Sequence, residues 1–243
     1  MSGTAPPWTL AFELSNPTSG AADASSLALG RGGALVASEH VAPAMPRSEE
    51  DDLFPAIQRL LARASLKPMD LRGGRIAVSV GPGGYTGLRV ACAASKVLAE
   101  AVGARCVAVP TALVALRAFR QGVAPGEQSP PSPKAAVALA SKTDSAWVYV
   151  EGQADATAAR FVSAANLAGL VAEHGVAVLI ADSHLPKVIR EACAGCGVAV
   201  VPPVLSAAAC LAVAVNLPDI EPELLLPVYA REPDAVTLWR LRK

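Results

Sequence analysis

The alternation of apolar and polar positions along the chain predicts the same run of elements twice. TLAFEL at 9–14 and the stretch 25–29 read as short strands, and Gly30, Gly32 and Gly33 turn the chain into a third at 34–40. Leu53, Ile57, Leu60, Leu61 and Ala64 then recur at helical spacing. Pro55 places the start of that helix near Asp51 or Asp52, because proline is tolerated in the first turn, where N–H groups lack partners and acids meet the positive end of the dipole. RIAVSV at 75–80, with Ile76, Val78 and Val80 alternating with smaller residues, reads as a buried strand. GPGGYTGLR follows, then a helix predicted from an N-cap at Thr86 to a stop at Gly103, with Val90, Ala94, Val97, Leu98 and Ala101 on one face. The segment 105–109 is another strand, closed by Pro110.

QGVAPGEQSPPSP at 121–133 is rich in proline, glycine and serine and reads as a surface linker. Beyond it strands are predicted at 135–140, 146–151 and 159–162, then a helix at 163–174, a strand at 176–181, a helix at 184–194, a strand at 198–201 and a helix at 206–216. The order β-β-β-α-β-α-β therefore occurs twice, with little sequence identity between the copies. Two such α/β units with mixed sheets are the plan of the actin-like, ribonuclease-H-like (ASKHA) fold. The expected organisation is a first half at 1–120 carrying GPGGYTGLR, a linker at 121–134, and a second, smaller half at 135–243.

Composition narrows the functional classes. The 243 residues carry 21 basic and 21 acidic side chains, so the basic surface of a stand-alone nucleic-acid binder is not expected. Hydrophobic residues make up 52% and aromatics 4%, which predicts an aliphatic, alanine-rich core. No apolar run reaches the ~20 residues needed to span a bilayer, and the N-terminus lacks the basic and apolar regions of a signal peptide. Five cysteines without a disulfide spacing fit a reducing cytoplasm.

The glycine motif is the main candidate site. Gly81, Gly83 and Gly84 allow backbone angles closed to other residues, and Tyr85, Thr86 and Arg89 follow at a helix start whose free N–H groups can hold an anion or another protein's backbone. The motif has neither the Gly-Lys-Ser/Thr ending of a P-loop nor the spacing G-x-G-x-x-G, so a plain strand-to-helix turn is an equal reading. Arg89 opposes the helix dipole where it stands. It is expected to face an acid of a partner or a phosphate, or else Glu13 or Asp52 of its own chain. An actin-like ATPase needs an acid on the first strand and a glycine-bearing turn after it. Glu13 is in place, but LSNPT at 14–18 has no glycine, and Ala140 stands where a second acid would be wanted. His40, His174 and His184 have no metal-ligand spacing. Cys193 and Cys196 form a C-x-x-C that closes a helix rather than opening one, which is the wrong end for a low-pKa thiol, while Cys92, Cys106 and Cys210 read as core residues. No catalytic residue, metal ligand or cofactor of the chain's own is identified.

VSVGPGGYTGLRVACAASKVLAEAVG at 78–103 resembles the signature of the TsaB (YeaZ) family, usually written GPGSFTGLR before a small-residue helix. LAFELS at 10–15, SEEDDLFPAI at 48–57 and PVYAREPDAV at 227–236 resemble that family's opening strand, its HSExLLP stretch and its PxYLRxP segment, in the same order. Glu13 departs from the family's Asp, Arg47 from a His and Ala230 from a Leu, and ASKTDS at 140–145 stands where DARRGE is common. The resemblance implies an ASKHA fold and a non-catalytic partner of a TsaD-like transferase. That transferase forms threonylcarbamoyladenosine at the tRNA adenosine next to the anticodon, helped by a TsaE-like ATPase. It further implies contact with tRNA only through the complex, ATP or ADP at most at the partner interface, and room for a homodimer. The expected partner surface comprises the helix faces Leu53, Ile57, Leu60 and Leu61, and Val90, Ala94, Val97 and Leu98, although each helix must also cover its own sheet. Ala91, Ala93 and Lys96 are expected on the open side of the second helix. Two alternatives stand beside this reading: a self-sufficient actin-like ATPase or kinase-like enzyme, and a glycoprotease-like or chaperone scaffold with no tRNA role.

Overall fold

The computed structural model describes residues 6–15, 25–41, 52–121, 133–142, 144–158 and 160–231. The first sheet comprises β1 (Trp8–Glu13), β2 (Ser26–Arg31), β3 (Ala34–His40), β4 (Arg75–Gly81) and β5 (Arg105–Pro110), in the order β3-β2-β1-β4-β5. The second comprises β6 (Lys134–Lys142), β7 (Ser145–Val150), β8 (Arg160–Ser163), β9 (Val176–Ala181) and β10 (Ala199–Val201), in the order β10-β9-β6-β7-β8. In each sheet an antiparallel meander of three strands is extended by two strands that run parallel to its first. The two sheets thus share one topology, as the repeated element order predicts.

The helices are α1 (Leu53–Arg63), α2 (Tyr85–Val102), α3 (Thr111–Gln121), α4 (Ala164–His174), α5 (Lys187–Gly195) and α6 (Ala207–Ala214). Side-chain alternation along the strands builds a layered core. Leu10, Phe12, Ile76 and Val78 face α1 and α2 in one cluster. Ala11, Ala28 and Ala77, on the opposite face, meet α3, α6 and the inner face of the second sheet in another. The outer face of the second sheet is covered by α4 and α5. The alanines let the central layer sit close, because a small side chain brings backbones together.

Three expectations change. The helix α3 was not predicted, because proline at 110 and the linker beyond 121 left its eleven residues unread. The start of α2 is capped at Gly84, not Thr86, so Tyr85 is already helical. Its buried stripe is Leu88, Ala91, Cys92, Ala94, Ser95, Ala99 and Val102, whereas Val90 and Val97 face out. Small residues at the sheet allow close approach, and the larger valines are left on the far side, so Ala91 is core and not open surface. The segment 122–132 of the expected linker lies outside the described residues.

The halves interlock. The last helix of the second half, α6, packs on β1 and β2 of the first sheet, while α3 of the first half packs on α6 and β6. Beyond α6 the chain returns along the first half. Arg75 holds this return, reaching the carbonyls of Ala214 at 3.0 Å and Leu217 at 2.7 Å and the Asp219 carboxylate at 2.5 Å. Ile220 bridges Cys106 at the edge of β5, and the N–H of Val228 donates to the Val80 carbonyl at 2.7 Å.

Candidate functional site

The glycine motif lies on the segment that leaves β1. A Cβ at Gly83 would collide with the Ser15 carbonyl oxygen, and one at Gly87 with that of Leu14. Only glycine allows these backbones to touch. The N–H of Gly84 donates to the same Ser15 carbonyl. Gly81 has φ +115° and lies under the Val228 carbonyl, so it needs glycine for its angle as well as its space.

Two surfaces meet at this turn. One is a cleft of about 210 Å³ between the halves, lined by Gly83, Gly84, Ala140, Ser141, Asp182 and His184. It is at the carboxyl ends of β4 and β9, the place where open α/β sheets commonly hold ligands, yet it is smaller than the ~300–1,000 Å³ typical of ligand pockets. Ala140 has φ +49° at its wall. Asp182 is buried and accepts the backbone N–H of His184 at 2.9 Å.

Glu13 does not line the cleft. Its carboxyl is fully buried under α3 and α6, with Oε1 accepting the Ser15 N–H at 2.8 Å and the Ser15 hydroxyl, and Oε2 unpartnered among the described residues. Burial pushes its pKa up, against the bonds from Ser15, which favour the charged form. Beside it Ser79 and Thr111 share a hydroxyl bond of 2.8 Å, and the Gly81 N–H donates to Thr111 at 3.0 Å.

The second surface is a groove of about 200 Å³ between α2 and the returning chain, lined by Arg89, Cys92, Ala93, Lys96, Leu225, Pro227 and Tyr229. Tyr85 and Tyr229 pack with ring centroids 5.0 Å apart, and both remain exposed. The Arg89 guanidinium lies 5.2 Å from the Tyr85 ring and donates to its hydroxyl at 3.1 Å. Among the described residues it meets no carboxylate. Of the two acids of its own chain expected for it, Glu13 is sealed in the core and Asp52 is held by Arg59 at 3.0 Å. Lys96 donates to the Glu223 carbonyl at 3.1 Å. Val97 is 64% exposed, Leu224 62% and Leu226 64%, so the groove has apolar banks and two cations in it.

The predicted partner face divides. Leu53, Ile57, Leu60, Leu61 and Ala94 are buried in the chain's own core and Leu98 is half-buried against it; Val90 and Val97 are open. Thr86 is exposed at the start of α2. Tyr229 and the apolar bank on the returning chain were not singled out. PVYAREPDAV carried Tyr229, but only its contact with Tyr85 shows what it does there. The cysteines separate as well: Cys193 is sealed in the core and Cys196 exposed at the end of α5, while burial raises the Cys92 and Cys106 thiols to about 11. Among the described residues no cluster of three His, Cys, Asp or Glu assembles, and no helix is long and apolar enough to cross a membrane.

A family model described as "TsaD: tRNA N6-adenosine threonylcarbamoyltransferase" matches residues 44–220. No curated protein matches at a significant level. A crystal structure of an uncharacterized protein with similarity to peptidase YEAZ, from Pseudomonas aeruginosa, covers 93% of this chain and all of its own at 22% identity, with a TM-score of 0.57. YeaZ from Pseudomonas aeruginosa covers 92% of this chain and 99% of its own at 18% identity, with a TM-score of 0.59.

Proposed function

The chain belongs to the TsaD family of tRNA N6-adenosine threonylcarbamoyltransferases and has the fold of YeaZ, and from this premise we propose that it is the TsaB-type, non-catalytic subunit that docks a TsaD-type transferase through the outer face of α2. The observation that carries this is the exposed bank of Val90, Val97, Leu224 and Leu226 around Arg89 and Lys96. An open patch of aliphatic and aromatic side chains marks an interaction surface, and tyrosine and arginine are enriched in protein interfaces. Arg89, with no described carboxylate of its own, would take an acid of the partner, or a phosphate of ATP or ADP held at the interface.

A catalytic role has less support. The strand-end acid that an ATPase would turn toward metal-bound phosphate is enclosed under α6, and LSNPT at 14–18 after it carries no glycine. In this reading the chemistry belongs to the partner, a TsaE-like ATPase supplies turnover, tRNA is met only in the complex, and the same face serves a homodimer when the partner is absent. The cytoplasm is the compartment where such an assembly would work.

The test is co-purification with the TsaD-type transferase of the same organism, followed by measurement of threonylcarbamoyladenosine in tRNA. Val97→Glu, at a position that needs no repacking, should remove the complex and the modified nucleoside while leaving the fold intact. Wild-type binding by that variant would exclude this face. Magnesium-dependent ATP turnover by the chain alone would overturn the non-catalytic reading.

A further inference from the structure

Glu13 is a buried acid that the proposed docking role leaves unexplained. It ends β1, and the chain it anchors is the bed of the glycine motif. Oε1 gathers both the N–H and the hydroxyl of Ser15. The Ser15 carbonyl in turn accepts the Gly84 N–H and lies against Gly83, and the Leu14 carbonyl lies against Gly87. Gly84 caps α2, so the first turn of that helix, with Tyr85 and Arg89, is set by a short relay that begins at one carboxyl.

We propose that Glu13 is a positioning residue for the partner-docking end of α2, acting through Ser15 on the glycine turn. The inference rests on the docking reading above only in its last step; the relay itself belongs to the isolated chain. The residues around the carboxyl suit a neutral acid. They are Ser15, Ser79, Ser26 opposite on β2, Thr111 on α3 and Cys210 on α6, with no cation among them. Among the described residues a charged carboxylate there would lack a counter-ion, and burial accordingly favours the protonated form. A glutamine has the same shape, keeps the Oε1 acceptor and is neutral. It should therefore do what glutamate does, whereas alanine should not.

The experiment is hydrogen–deuterium exchange on the isolated protein, comparing the amides of 83–89 with those of α4 as an internal reference. Glu13→Ala should speed exchange at 83–89 about tenfold over the reference, and Glu13→Gln should stay within about twofold of wild type. Ser15→Ala, which removes the hydroxyl but keeps the N–H, should fall between them and serves as the loosening variant if Glu13→Ala does not fold. The proposal is overturned if Glu13→Gln loosens 83–89 as much as alanine does, or if both Glu13→Ala and Ser15→Ala leave that segment unchanged. In a second arm, affinity for the TsaD-type partner should drop in Glu13→Ala and return in Glu13→Gln. A wild-type chain that fails to bind the partner would overturn the docking reading, and the exchange result would still decide the relay.

Discussion

Complete burial of the Glu13 carboxyl makes the stability of the fold depend on pH in a defined direction. Its folded pKa is raised above the ordinary 4.5 by desolvation. A group of this kind binds its proton more tightly folded than unfolded, so its contribution is fully present below the unfolded value and is lost as pH rises through the folded one. Denaturant unfolding of wild type should therefore weaken from about pH 4.5 upward. Glu13→Gln should flatten that slope and be the more stable protein at pH 8, because it has no proton to lose in the folded state. A glutamine variant that keeps the full slope would show that another group titrates. The cysteines give a second residue-scale outcome. Thiolates are the reactive form, and Cys92, Cys106, Cys193 and Cys210 are buried with raised pKa values. Iodoacetamide at neutral pH should label Cys196 alone in the native protein and all five after unfolding, read by mass spectrometry.

At the scale of elements, the glycine motif is explained by contacts that no residue pattern displays. Gly83 and Gly87 are needed because the carbonyls of Ser15 and Leu14 touch them, and those carbonyls arrive from a strand about 70 residues upstream. Gly87→Ala should consequently cost about 1–3 kcal/mol, as overpacking against a backbone does. Gly169→Ala, in α4 with open space around it, should be neutral or stabilise by up to about 1 kcal/mol. Thermal melts of the two variants compare them, and equal losses would remove the packing account of the motif. Period-two and period-3.6 patterns made the strand and helix order legible, since Ile76, Val78 and Val80 do face one cluster. The same patterns misplaced the outer side of α2. Valine outranks alanine on any hydrophobic scale, but along the middle of α2 the buried positions are the small residues Ala91, Cys92, Ala94, Ser95 and Ala99. The groove beside α2 was therefore half legible: Arg89 and the neighbouring Val90 and Val97 were open to reading from the sequence, while Tyr229 and Leu226 reach it through a return of the chain that periodicity cannot reveal.

For the whole molecule, the exchange of helices between the halves decides whether either half is a protein by itself. A linear reading divides the chain near 120, and the matching topologies of the two sheets encourage that division. Packing contradicts it as a unit of folding. The face of the first sheet that carries Ala11, Ala28 and Ala77 is covered by Ala207, Cys210 and Leu211 of α6, which lies beyond every strand of the second sheet. The second sheet in turn needs Val114 and Ala115 of α3 against Val137 and Leu139. A fragment of residues 1–121 would expose that alanine face and leave the Glu13 carboxyl partly uncovered. A fragment of residues 133–243 would leave α6 with no sheet to cover. Each should lack a cooperative melt and aggregate or bind a hydrophobic dye, while the two expressed together should recover a single transition close to that of the intact chain. Circular dichroism with dye binding reads both results. If residues 1–121 alone melt cooperatively at the temperature of the full chain, the interlocked layer is decoration on an independent domain, and the first sheet does not need α6 to cover its alanine face.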